Sequence, residues 1–126
     1  MVARKFRYIV LFLVSSCATA NSADTLTIDN QLSQCISIAD TKVDTEGKIP
    51  VLSFHLQIDK HIAECGCKSA LGSYTVFSQM EEYTSFIIGG KVGFSKTEEK
   101  YLPLAADQKL IDKRKIVVRF SCAQPD

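Results

Sequence analysis

Cys17, Cys35, Cys65, Cys67 and Cys122 have the widest chemical repertoire in this sequence of 126 residues. A thiolate is a nucleophile, a redox partner or a soft metal ligand, and an oxidised pair is a covalent cross-link. Two of the five stand one residue apart in Cys65-Gly66-Cys67, with His61 just upstream in the spacing His-x3-Cys-x-Cys. Three chemistries fit this spacing. In the first, Cys65 and Cys67 are bonded separately to Cys35 and Cys122, tying an early strand and the last strand to the middle of the chain. In the second, Cys65 and Cys67 bond to each other. On a strand their Cβ atoms stand too far apart for that, so the bond requires a kink at Gly66 and is readily reduced, as in a redox couple. Lys68 and His61 would then supply the positive charge that favours a thiolate. In the third, Asp59 or His61 joins the two cysteines around zinc or copper, although the spacing matches no closed zinc site. We take the first arrangement, two disulfide staples, as the expectation.

Other catalytic patterns are missing. There is no Gly-x-Ser-x-Gly nucleophile context, no His-Glu-x-x-His and no Gly-rich loop between a strand and a helix. The acid pairs Glu81-Glu82 and Glu98-Glu99 fall in expected turns, where solvated loops are the ordinary outcome. His55 alternates with Phe54 and Leu56, which places it on an outward strand face. These features point away from an enzyme and imply neither a cofactor nor a resident metal.

The compartment follows from the first residues. Arg4, Lys5 and Arg7 precede the apolar run Tyr8 to Val14 and a small, polar stretch from Ser15 to Ala23, the order of a secretory signal peptide over residues 1–23. Two processing routes compete. Ala18-Thr19-Ala20 offers the small residues of an ordinary cleavage site. Val14-Ser15-Ser16-Cys17 instead resembles the bacterial lipobox, which would end the signal at residue 16 and make Cys17 a lipidated first residue. Export leads to the periplasm or the outside, or to an envelope membrane through a lipid anchor. No apolar run reaches the roughly 20 residues of a spanning helix. Either route removes or modifies Cys17 and leaves an even set of four cysteines, as an oxidising compartment favours.

One domain over residues 24–126 must position those four. The sequence is 46% hydrophobic and 23% charged, which fits a single globular unit. Its formal charge of +1 gives no case for nucleic-acid binding, and loss of residues 1–23, with three cations and no acid, turns it to −2. Period-two alternation marks strands at Leu26 to Asp29, Ile36 toward Val43, Leu52 to Ile58, Ser73 to Phe77, Tyr83 to Ile88 and Ile116 to Cys122. Thr45 to Lys48 is a turn, and Gln79 to Glu82 links a hairpin. Gly89-Gly90 reads as a second turn or as a bulge within one bent strand, and Lys96 to Lys100 as a charged surface turn. Leu102-Pro103-Leu104 suits an edge strand, and Ala105 to Lys115 holds at most one short helical turn. About seven short strands without a long helix predict an all-β fold, an immunoglobulin-like antiparallel β-sandwich.

Cys65-Gly66-Cys67-Lys68-Ser69-Ala70, then Tyr74-Thr75-Val76-Phe77, Leu102-Pro103-Leu104-Ala105 and a last strand ending in Ser121-Cys122, resemble a family of small exported bacterial proteins with no assigned function. The layout is also similar to the periplasmic inhibitor of curli amyloid assembly, a sandwich with a Cys-x-Cys motif. That protein's last strand has no counterpart to Cys122. The expected function is a non-catalytic binding or assembly-modulating domain of the cell envelope with a protein partner, whose strand would add near Leu102-Pro103-Leu104 or the Phe86 to Phe94 hairpin. The competing reading is a thiol-disulfide or metal-thiolate protein using Cys65, Cys67 and His61.

Overall fold

Alternating side chains leave each strand with one apolar and one wet face, and the apolar faces are buried by stacking two sheets. The computed structural model describes residues 26–124. The strands are β1 (Leu26–Asn30), β2 (Ile36–Asp44), β3 (Val51–Ile58), β4 (Leu71–Gln79), β5 (Thr84–Gly93), β6 (Glu98–Pro103) and β7 (Lys115–Cys122), with 3-10 turns at Ile62–Cys65 and Gln108–Leu110. One sheet has the order β1-β7-β4-β5 and the other β2-β3-β6. The chain thus forms the expected all-β sandwich. One pairing differs from a purely antiparallel plan. β1 runs parallel to β7, from Leu26 opposite Ile116 to Asn30 opposite Phe120. The expected signal segment, its alternative end at residue 16 and Cys17 lie outside the described residues.

The core fills from both layers. Val76, Val118 and Phe120 of one sheet and Leu52, Phe54 and Leu56 of the other are fully buried. Phe120 meets Phe54 and Phe94 edge-on, with ring centroids 5.4 and 6.0 Å away. Phe94 lies over Gly72, where an added Cβ would stand 2.0 Å from the ring. The Tyr74 hydroxyl spans the layers and donates to the Pro103 carbonyl at 3.1 Å.

Two local expectations need correction. Of the two readings of Gly89-Gly90, the turn is overturned and the single bent strand forms, with its bulge at Ile87 and not at the glycines. Both residues continue β5 and pair with Thr75 and Tyr74 of β4. Their lack of side chains matters sideways, because a Cβ at Gly89 would approach the Tyr74 carbonyl to 3.0 Å and one at Gly90 the Tyr74 ring to 3.2 Å. Glu98 to Lys100 is not a turn either. These residues begin β6, paired with Leu56, His55 and Phe54 of β3. Their charges are tolerated because β6 is an edge: Lys100 Nζ sits 2.7 Å from Glu98 and His55 Nδ1 3.0 Å from Glu99. The Lys100 ammonium, hydrogen-bonded to Glu98, holds that carboxyl below the usual range.

Candidate functional site

Between β3 and β4 the chain must cross from one sheet to the other, and the Cys-Gly-Cys motif lies in that crossing. The 3-10 turn Ile62–Cys65 starts with the His61 imidazole accepting from the Ala63 N–H at 3.0 Å, an N-cap. It ends at Gly66, whose φ of 95° is left-handed and would strain any residue with a Cβ. There the Gly66 N–H donates to Ala63 O at 3.1 Å and the Cys67 N–H to Ile62 O at 3.2 Å. This reversal aims the two neighbouring cysteines at different strands. Cys65 is bonded to Cys35, just before β2, with Cα atoms 6.3 Å apart. Cys67 is bonded to Cys122, the last residue of β7, with Cα atoms 5.1 Å apart.

Each bridge thus joins the crossing segment to a strand of a different sheet. Cys35 and Cys67 are buried, while Cys65 and Cys122 are partly covered. The surroundings are tied down as well. The Cys35 carbonyl accepts from the N–H groups of Asp59 and Lys60, at 2.7 and 3.0 Å. Asp59 itself accepts from Ser37 at 2.7 Å and Gln57 at 2.9 Å. Of the three side chains named as helpers of a metal or redox centre, His61 is engaged as a cap and Asp59 in a hydrogen-bonded bend, while Lys68 is exposed. Among the described residues no cysteine sulfur is free, and no group of three His, Cys, Asp or Glu side chains is placed to hold a metal. The chemistry left to this end is mechanical: it locks the two sheets together.

The surfaces open to a partner are the four sheet edges, and they differ. β1 is five residues long and carries Asp29, which is held by Arg119 at 3.0 Å. β2 carries Asp40, Lys42 and Asp44, and its pairing with β3 shifts register between Ala39 and Lys42, with Asp40 at a φ of 54°. β6 carries Glu98, Glu99 and Lys100 and ends at Pro103. Charge, bulge and proline are the ordinary means of blunting an edge. β5 is ten residues long, is paired on one side only among the described residues, is bulged at Ile87 and carries Lys91 as its single charged residue. On its outward face Phe86 is 65% exposed and stands opposite Phe77, whose ring is covered by the Arg119 guanidinium at 4.9 Å.

Of the two edges named from the sequence, β6 at Leu102-Pro103 is blunted by charge and proline, whereas β5, although bulged at Ile87, is long and nearly uncharged. Sequence reasoning left open whether β5 turns at Gly89-Gly90 or continues as one bent strand, and so did not fix its length. Its poverty in charge was the signal that could have shown it.

A two-layer β-sandwich whose four core-domain cysteines are joined in two bridges is a disulfide-stapled domain, of a kind that fits an oxidising compartment. The chain belongs to the family described as uncharacterized protein conserved in bacteria (DUF2195), whose model matches residues 10–125. No curated protein and no solved structure matches it. No helix of the described residues is long and apolar enough to cross a membrane.

Proposed function

We propose that this protein is an exported, non-catalytic binding domain of the bacterial cell envelope that takes up an extended partner segment along β5. The observation that carries this reading is the contrast in charge and length among the edges, with three blunted by charge, shortness or proline and β5, although bulged at Ile87, left long and nearly uncharged. Backbone groups on the open side of β5 supply hydrogen bonds to any extended chain, and Phe86 supplies an apolar contact for an alternate side chain. Export is supported by the basic, apolar and small-residue order of residues 1–23, which leads to the periplasm or, through Cys17, to a lipid-anchored form. Modulation of another protein's assembly is the sharper form of this reading, implied by the layout shared with the periplasmic curli inhibitor. Redox or metal-thiolate chemistry needs a free thiolate at Cys65 or Cys67, and both sulfurs are bonded.

The test is photo-crosslinking in the living cell from position 86, with position 101 as the control, because Tyr101 on β6 is equally exposed at 68%. A discrete adduct from position 86 that disappears when Thr84→Lys adds a charge to the edge is the expected result. Equal labelling from both positions, or an adduct indifferent to Thr84→Lys, would overturn the reading.

A further inference from the structure

Three connections meet at the end of the sandwich opposite the disulfides. The Gln108 side-chain amide donates to the carbonyls of Thr45 and Gly47, tying the β2–β3 turn to the 3-10 turn before β7. From there the Asp112 N–H donates to Gln108 O at 3.0 Å and the Arg114 N–H to Ile111 O at 3.2 Å, which brings the chain to Lys113, Arg114 and Lys115. These three cations line a groove of about 580 Å³ together with Gln79 at the end of β4 and Met80 and Glu81 of the β4–β5 connection.

The groove has an excess of positive charge in a domain whose net charge after loss of residues 1–23 is −2. Among the described residues none of its three cations is within 4.0 Å of an acid, although Glu81 lines the same groove and Glu82 and Asp112 adjoin it. Lys113 has a φ of 59°, a backbone conformation that L side chains avoid. The connections at this end also carry exposed apolar side chains that the core does not use: Tyr83 between β4 and β5, Leu110 in the 3-10 turn and Ile49 between β2 and β3. Cations mixed with exposed aromatic and aliphatic groups suit the headgroup layer of a bilayer.

The point at which the chain enters the fold selects the occupant. Residues 1–25 join at Leu26, which pairs with Ile116, the neighbour of Lys115. If Cys17 is acylated, only Ala18 to Thr25 separate the lipid from this end, a span of at most about 30 Å when fully extended. We propose that this end docks on an anionic bilayer, with Lys113, Arg114 and Lys115 taking lipid phosphate and Tyr83, Leu110 and Ile49 entering the interfacial layer. In this pose β5 stands upright at the side of the domain, with its open edge facing sideways.

The experiment is co-sedimentation of the processed protein, recovered from the bacterial envelope, with vesicles of equimolar phosphatidylglycerol and phosphatidylcholine and with vesicles of phosphatidylcholine alone. Ratios are taken within one processed form, so any acyl chain contributes equally to each variant. Lys113→Gln, Arg114→Gln and Lys115→Gln together should lower partition onto the anionic vesicles about 100-fold, at about fivefold per cation. The charge-matched control is Lys60→Gln, Lys68→Gln and Lys96→Gln at the disulfide end, expected to change it less than about twofold.

A second readout uses the absence of tryptophan from the sequence. Emission of the single tryptophan in Tyr83→Trp should shift to the blue on anionic vesicles and stay unchanged on phosphatidylcholine, whereas Tyr101→Trp should not respond to either. Equal losses in the two triple variants, or no shift in Tyr83→Trp, would overturn the proposal. So would loss of a protein complex with vesicle partition intact, which would assign the groove to a protein partner.

Discussion

At one end of the sandwich, Cys35–Cys65 and Cys67–Cys122 close sequence separations of 30 and 55 residues and hold both sheets to one short 3-10 turn. At the other end, the β2–β3 turn, the 107–114 segment and the β4–β5 connection meet through the Gln108 side chain and a few backbone bonds, around an open groove. The closed end needs little regular structure because the covalent bonds fix it. The open end gains no such constraint and keeps its cations, a left-handed lysine and exposed apolar groups in water. In a domain this small, covalent constraint is concentrated at one end, and the cheaper local openings are expected at the other.

The largest expected effects are at the closed end. By the loop-closure model, replacing Cys67 and Cys122 together by Ser should cost about 4 kcal/mol, and replacing Cys35 and Cys65 about 3.5 kcal/mol. Urea unfolding of the two double variants checks both figures. Losses below about 1 kcal/mol in either would mean that this end is held by packing rather than by its bridges. Gly72→Ala comes next, because the new methyl group must displace the buried Phe94 ring. Overpacking of this kind costs about 1–3 kcal/mol, read as a lower unfolding midpoint. His61→Ala removes the N-cap of the Cys-Gly-Cys turn and should cost about 1 kcal/mol.

At the open end the expected sign reverses. Lys113→Gly relieves a left-handed backbone and should raise stability by about 0.5–1 kcal/mol. Ser78, near the open end of β4, is buried, and its hydroxyl has no hydrogen-bond partner among the described residues. Ser78→Ala should therefore be neutral or stabilising by up to about 1 kcal/mol. If both substitutions destabilise the protein, the open end is more tightly built than this contrast allows.

The smallest effect is one of pH. Burial pushes the Tyr74 hydroxyl above its ordinary value of 10.0. The folded state therefore holds that proton more tightly than the unfolded chain, and the associated stability is intact below about pH 10 and lost as pH rises beyond it. A stability profile from neutral to strongly alkaline pH should fall in that window, and less steeply in Tyr74→Phe.

Much of the layering was legible in the sequence. The alternation in Leu52 to Ile58 and Ile116 to Cys122 determines which side chains are buried, and the structure buries Leu52, Phe54, Leu56, Ile116, Val118 and Phe120. Gly89-Gly90 left two readings open because glycine marks both turns and close approaches, and only the approach of Tyr74 of β4 to both glycines distinguishes them. Glu98 to Lys100 misled because charge favours turns and edge strands alike, and pairing with β3 is a tertiary fact. The parallel placement of β1 on β7 joins the two ends of the domain, and a local pattern carries no information about it. The groove was illegible for the same reason: Gln79 to Glu81 and Lys113 to Lys115 lie far apart in the chain and meet only when β4 pairs with β7.

Non-reducing peptide mapping of the protein recovered from its own envelope tests the central claim, that the cysteines are staples and not a reaction centre. Trypsin leaves Cys65 and Cys67 together in the peptide from His61 to Lys68. The structure predicts one three-peptide species joining that peptide to those containing Cys35 and Cys122, with stepwise reduction releasing Cys35 from Cys65 and Cys122 from Cys67. A free His61 to Lys68 peptide, with Cys65 bonded to Cys67 or with both thiols reduced, would contradict the account and return the motif to redox or metal chemistry.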